Sequence, residues 1–239
     1  MAPDALRQLW VRVLGERPHH PRAFTQGLVL EGDTLYESVG HYGASALREL
    51  DALTGAERRR VELPPHLFAE GLTKVGDRLF QLSWREGTAL VWEVQRLALV
   101  AQHRYAGEGW GLAFDGEHLV MSDGHTWLSF RDPGSFEVRR AVRVTHLGRP
   151  LAGVNELEWA RGRLYANVWP TSHLVEIDPR TGCTTALIDA SALVARVPRP
   201  ARWRMDVLNG IAHDPASGRF LLTGKNWPLL FEVEFEPCD

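Results

Sequence analysis

One pattern returns five times along the chain and limits what it can fold into: "FTQGLVLEGDTLYESVG" from Phe24, "FAEGLTKVGDRLFQLSW" from Phe68, "EGWGLAFDGEHLVMSDG" from Glu108, "GVNELEWARGRLYANVW" from Gly153 and "VLNGIAHDPASGRFLLTGK" from Val207. Each copy is an apolar strand, a turn rich in Gly, Asp, Asn or Glu, and a second apolar strand, the signature of an antiparallel hairpin. The copies start about 40 to 54 residues apart. Shorter strand segments follow each hairpin, as in "ALVWEVQRL" and "HLVEIDPRTG". Four strands per unit at this period is the arithmetic of a propeller blade. The expectation is therefore an all-β chain forming one domain over residues 1–239, a five-bladed β-propeller with four antiparallel strands per blade. The last unit runs out of chain after "LLFEVEF", and the segment "QLWVRVLG" at residues 8–15 is expected to supply its fourth strand and remove an open edge. Helix is expected only around "ASALVARVPRP", residues 190–200.

Repetition turns equivalent positions into rings. Aligned on the "GL" pair, the copies place Gln26, Glu70, Trp110, Asn155 and Asn209 at one level near the axis. Counting across each hairpin turn pairs these with Gly40, Trp84, Gly124, Trp169 and Lys225, so ten positions share one rim. A register that served packing alone would repeat one residue type, whereas this rim mixes carboxylate, amides, indoles and an amine. Aromatic walls with a few convergent polar groups are the usual form of a small-molecule site. The other tryptophans, Trp10, Trp92, Trp127, Trp159, Trp203 and Trp227, are read as packing.

Composition removes several function classes. Lysine and arginine number 27 against 30 acids, a net charge of -3, which leaves no basic footprint for nucleic acid. Two cysteines, Cys183 and Cys238, are too few to staple such a chain and too far apart for a metal knuckle. The ten histidines form no ligand spacing, and His19-His20 before a proline reads as a turn, so no metal or cofactor is expected. No basic segment with a long apolar run opens the sequence, and nowhere do eighteen apolar residues follow one another. These features give a soluble, cytoplasmic chain with no membrane partner as the expectation, and a monomer as the default.

The strings "PRAFTQGL", "AEGLT", "GEGWGLA", "NELEW", "ANVWPT", "VLNGIAHD" and "TGKNWPLLFEV", in this order, resemble the plant-type glutaminyl cyclases (glutaminyl-peptide cyclotransferases) and their bacterial relatives, from about His20 to Val233. The resemblance implies a five-bladed propeller that converts the N-terminal glutamine of peptides or proteins to pyroglutamate with release of ammonia. It further implies Glu70 as the catalytic acid/base, with Phe24, Gln26, Phe68, Trp84, Trp110, Asn155, Trp169 and Lys225 around it. Asn209 joins this substrate-binding set from the repeat itself. Departures from the family pattern are Ala69, where glycine is frequent, and Asn226, where an apolar residue is usual; some members also hold a structural metal ion, for which this sequence offers no ligand cluster.

The chemistry needs few groups. The substrate's own α-amine attacks its side-chain amide, so the protein must fold one residue back on itself, a task for Trp84, Trp110, Trp169, Phe24 and Phe68. A single carboxylate, Glu70, can carry the proton from the amine to the departing nitrogen. Lys225, Asn155 and Gln26 are the available donors for the developing oxyanion. Two alternatives stay open: a calcium-dependent propeller lactonase or esterase using Glu70, Asn155 and Asn209 as oxygen ligands, and a non-catalytic propeller that binds peptides.

Overall fold

The computed structural model describes residues 6–198 and 205–238; Trp203 lies outside them. Nearly all of its regular structure is strand. Residues Thr25–Glu31 (β2), Thr34–Val39 (β3), Ala46–Asp51 (β4) and Glu57–Glu62 (β5) form one four-stranded antiparallel sheet. Ala69–Val75 (β6), Arg78–Ser83 (β7), Thr88–Glu93 (β8) and Ala98–Arg104 (β9) form a second. Leu112–Phe114 (β10), Leu119–Ser122 (β11), Trp127–Arg131 (β12) and Val138–Arg143 (β13) form a third. A two-stranded ribbon, Thr145–His146 (β14) with Arg149–Pro150 (β15), follows.

The remaining strands make one eight-stranded sheet. Val154–Ala160 (β16), Arg163–Val168 (β17), His173–Ile177 (β18) and Thr184–Asp189 (β19) run antiparallel, as do Leu208–His213 (β20), Phe220–Gly224 (β21) and Leu229–Pro237 (β22). Arg7–Pro18 (β1) lies between the two sets, antiparallel to β22 from Leu9↔Pro237 to Pro18↔Leu229. The N-terminal segment thus supplies the missing strand. What the repeats did not indicate is its second partner: Arg7 to Trp10 also pair in parallel with Ala186 to Asp189 of β19. The helix anticipated near residue 190 is one short turn, Ser191–Arg196 (α1). No helix among the described residues is long and apolar enough to cross a membrane.

Packing links the sheets in a circle. Tyr36, Leu47, Leu72 and Leu90 join the first sheet to the second, and Phe80, Leu82, Leu112 and Met121 join the second to the third. Val120, Phe130, Leu157 and Ala166 join the third to β16–β19. Leu174, Ile188, Phe220 and Phe231 join the two halves of the large sheet, and Leu28, Leu35, Leu221 and Leu230 bring the circle back to the first sheet. Central strands are covered on both faces, which is why β8 reads as a continuous apolar run, Ala89–Trp92, and why β7 is buried from Leu79 to Ser83. Of the tryptophans assigned to packing, Trp92 and Trp227 are buried and Trp159 is partly covered, but Trp10 on β1 and Trp127 on β12 are about half exposed.

The first strands β2, β6, β10, β16 and β20 neighbour one another in turn at the centre. Their "GL" glycines allow main chain to touch main chain: a Cβ on Gly27 would lie 2.5 Å from Leu72 N, one on Gly71 2.6 Å from Trp110 O, and one on Gly111 would collide with Asn155 O. The fourth copy carries Glu156 at that position. Its buried carboxylate accepts from Leu28 N (3.3 Å) and Ile211 N (2.9 Å), tying β16 to β2 and β20. Glu158 likewise accepts from His213 N at 3.0 Å. Burial raises both carboxyls, Glu158 to about 8. His19 is not the turn residue that its following His-Pro suggests. It is buried, with Nδ1 2.7 Å from Trp227 O and Nε2 2.9 Å from Glu37, whose carboxylate also accepts from Arg48 (2.6 Å) and Thr25 (2.7 Å). Burial alone would raise Glu37, but His19, Arg48 and Thr25 outweigh it and hold it at about 2.

Replacing Glu156 by leucine leaves two buried N–H groups unpaired, at about 1–3 kcal/mol each. Glu156→Leu is expected to lower unfolding free energy by about 2–6 kcal/mol in urea titrations, and Glu156→Gln, whose oxygen still serves one donor, by about half as much. Coincident unfolding curves for the three proteins would show that this carboxylate holds nothing.

Candidate active site

Every first strand but β10 bulges at its ring position: between Thr25 and Gly27, Ala69 and Leu72, Val154 and Leu157, and Leu208 and Ile211. A bulge puts an extra residue into the strand and re-aims its side chain. The hairpin pairings read from the sequence are two residues off, one because the turns close one position earlier than assumed (Val75↔Arg78, Ala160↔Arg163) and one from the shift at the ring position. Trp84 N–H donates to Phe68 O, not across from Glu70; Gly40 sits opposite Phe24, Trp169 opposite Gly153 and Lys225 opposite Val207. On the third hairpin Trp110 N–H donates to Ser122 O rather than facing Gly124. Because residues two apart on a strand share a face, the slip leaves the rim together.

The rim encloses a cavity of about 490 Å³. Glu70, Gln26, Asn155 and Lys225 line its buried depth, and Phe24, Phe68, Trp84, Trp110 and Trp169 line its walls. Asn209 does not reach it. That side chain is fully buried behind Gln26, donating to Thr25 O (2.9 Å) and Gln26 Oε1 (3.1 Å). Asn209 thereby turns the Gln26 amide so that its nitrogen donates to Glu70 Oε1 at 2.8 Å.

The rings pack edge to face: Phe24 on Phe68 at 6.1 Å, Phe68 on Trp84 at 5.5 Å, Trp110 on Trp169 at 5.9 Å. Two glycines make this possible, since a Cβ on Gly40 would strike the Phe68 ring and one on Gly124 would lie 2.6 Å from that of Trp110. Lys225 Nζ sits 4.8 Å above the Phe24 ring. Trp169 is 46 % exposed and stands at the mouth.

Three residues that neither the repeat nor the family resemblance selected also line the cavity: His41, Arg85 and Glu108. Glu108 is the instructive one. Its Oε2 accepts from both Trp84 Nε1 (2.7 Å) and Trp110 Nε1 (3.0 Å), and its Oε1 from Arg85 Nε (3.0 Å). The signal was present in "GEGWGLA", where an acid precedes the ring tryptophan by two residues.

The two carboxylates are driven apart electrostatically. Burial pushes Glu70 well above the ordinary carboxylate range, with Glu108 and Glu86 adding to the rise and Lys225 opposing it. At Glu108 the bonds from Trp110, Trp84 and Arg85 outweigh burial and hold it below that range. Lys225 is lowered by burial, against the pull of Glu70 and Asp206. Pairs split in this way mark the proton-transferring group and its fixed neighbour. Asn155 adds a buried Oδ1 with no hydrogen-bond partner among the described residues.

A cavity of this size, open at one mouth, with aromatic walls around a buried carboxyl and an amine, defines an acid–base enzyme acting on a small reacting group. The comparisons with known proteins narrow that class. The family model described as glutamine cyclotransferase matches residues 2–235, and the chain belongs to that family. It is 38% identical over 228 residues to the glutaminyl-peptide cyclotransferase of Arabidopsis thaliana, spanning 95% of this chain and 71% of the relative. The crystal structure of Myxococcus xanthus glutaminyl cyclase matches with a TM-score of 0.90 and 42% identity, covering 98% of this chain and all of the other (100%).

The charges around Glu70 give a test that needs no substrate. Glu108→Gln removes a negative neighbour and is expected to lower the Glu70 pKa; Lys225→Met removes a positive one and is expected to raise it. Carboxyl carbon NMR titrations of the two variants read both directions, and movement of Glu70 the same way in both would contradict the assignment.

Proposed function

We propose that this chain is a five-bladed β-propeller enzyme, monomeric and needing no catalytic metal, that cyclises N-terminal glutamine of peptides and proteins to pyroglutamate and releases ammonia. The observation that carries the reading is the placement of a single high-pKa carboxyl, Glu70, in an aromatic cavity beside Lys225, Gln26 and Asn155. Family membership and the named relatives support the same reaction.

The walls do the first part of the work. Trp84, Trp110 and Trp169, with Phe24 and Phe68, hold the glutamine side chain curled so that its α-nitrogen faces its amide carbon. Such orientation is worth up to about 7–11 kcal/mol in intramolecular reactions. Glu108 fixes two of these indoles with one oxygen, so the clamp is set before substrate enters.

Glu70 moves the proton. It takes one from the α-ammonium, the free amine attacks the amide carbon, and the new carbon–nitrogen bond forms as the carbonyl electrons move to oxygen. Glu70 then gives that proton to the departing nitrogen, the tetrahedral intermediate collapses with cleavage of its carbon–nitrogen bond, and the freed Glu70 carboxylate takes the second proton from the ring nitrogen and passes it to ammonia, which leaves as ammonium. Burial that raises Glu70 above the ordinary carboxylate range brings it closer to the amine it must deprotonate and lowers the cost of the first transfer. Lys225 faces the oxyanion, where one donor is typically worth about 2.7–4 kcal/mol. Asn155 lines the same depth of the cavity and is a further amide available to the substrate beside Glu70. Gln26 is committed to Glu70 and orients it instead of serving the oxyanion.

The expected result for Glu70→Gln is a kcat for ammonia release from Gln-Gly reduced by at least about 100-fold with KM little changed, because the proton shuttle acts in the transition state. Trp110→Ala is expected to raise KM. Chelator added to the wild-type enzyme separates this reading from a calcium-dependent hydrolase: undiminished ammonia release fits Glu70 acting alone, and loss restored by calcium would sink it.

A further inference from the structure

A second depression of about 450 Å³ adjoins the cavity and shares Phe24 and His41 with it. These two rings, 4.5 Å apart, are the ridge between the two spaces. Beyond the ridge the lining is basic: His20, Arg22, Arg48 and Arg60, with Glu57 as its one carboxylate. Arg48 and Glu57 are spent on each other (2.7 Å), and Arg48 also on Glu37 (2.6 Å). Arg60 is held loosely, 3.8 Å from both Glu57 and Glu62 and 3.5 Å from Ala44 O. Arg22 is exposed and pairs with no carboxylate among the described residues. His20 on the same wall is held below the ordinary imidazole range by burial and then by Arg48. The groove therefore offers two cations with spare hydrogen-bonding capacity. Elsewhere on the rim the acids already have partners: Glu108 takes the indoles and Arg85, and Glu86 accepts from Tyr42 Oη at 2.8 Å.

We propose that this groove receives the downstream part of the peptide substrate and favours an acidic side chain two or three residues after the N-terminal glutamine. The inference rests on the cyclisation proposed above, which requires a peptide to leave the cavity through its mouth. An extended chain advances about 3.3–3.6 Å per residue, so one or two residues cross a ridge one ring pair wide. The next side chains then lie over Arg22 and Arg60, whose guanidinium groups present paired donors to a carboxylate.

The test compares Gln-Gly-X-Gly amide and Gln-Gly-Gly-X amide, with X either Asp or Lys, against Gln-Gly. At about 20 mM salt the Asp peptides are expected to exceed their Lys counterparts in kcat/KM by roughly five- to tenfold, and the preference is expected to shrink at about 1 M salt, where charges are screened beyond about 3 Å. Arg22→Ala combined with Arg60→Ala should bring the ratio near one while leaving Gln-Gly turnover unchanged, and Arg22→Lys with Arg60→Lys should restore much of it. Normal Gln-Gly turnover with no Asp-over-Lys preference, or a preference that survives the double alanine variant, overturns the groove and leaves the reaction standing. Absence of Gln-Gly cyclisation overturns the reaction and the groove together.

Discussion

At the centre of the molecule main chain meets main chain. Gly71 N–H donates to Trp110 O at 2.7 Å across the gap between two sheets, and the glycines of three neighbouring first strands leave no space into which a side chain could grow. This contact fixes how far each sheet stands from the axis. On those three strands it also means that functional groups cannot project at that level and must come from the residue just before; the fourth strand carries Glu156 there, spent on Leu28 N and Ile211 N. Gln26, Glu70 and Trp110 are those residues, with Asn155 in the same place on the fourth strand. The cavity is thus a consequence of how tightly the sheets close beneath it.

The sheet architecture was legible because it is repetitive: a hairpin written five times overrides the ambiguity of any single strand, and the shortfall in the last copy pointed to β1. The identity of the rim residues was legible for the same reason. Their partners across the hairpin were not, because the turns close one position earlier than their Gly and Asp residues suggest and a bulge adds a further residue to one strand without leaving a mark in the sequence. Asn209 occupies the ring position yet turns away from the cavity to orient Gln26, a distinction that side-chain contacts decide and residue type does not. Glu108 went unselected because it lies two residues before the ring position in its copy. The buried His19 was hidden by a neighbouring proline that suggested an exposed turn.

The site separates two tasks that carboxylates often share. Glu108 is surrounded by donors and keeps its charge, acting as a fixed peg for two indoles. Glu70 receives one donor, from Gln26, and otherwise faces apolar rings and an amine that burial weakens as a cation. Environment alone assigns the roles, since the two residues are chemically identical. Gln26 in turn is set by Asn209, and Thr25 beside it is anchored to Glu37 and so to His19 at the end of β1. The orientation of the acid/base therefore depends on a chain of hydrogen bonds reaching back to the N-terminal strand.

That strand belongs to both ends of the molecule. As the polypeptide emerges from a ribosome, β1 appears before every other strand of the sheets it joins, and its antiparallel neighbour β22 follows all of them. Until then an edge of unpaired backbone groups persists beside an unfinished ring, a surface prone to pairing with other chains. The interval between the synthesis of β1 and that of β22 sets how long this edge waits for its partner.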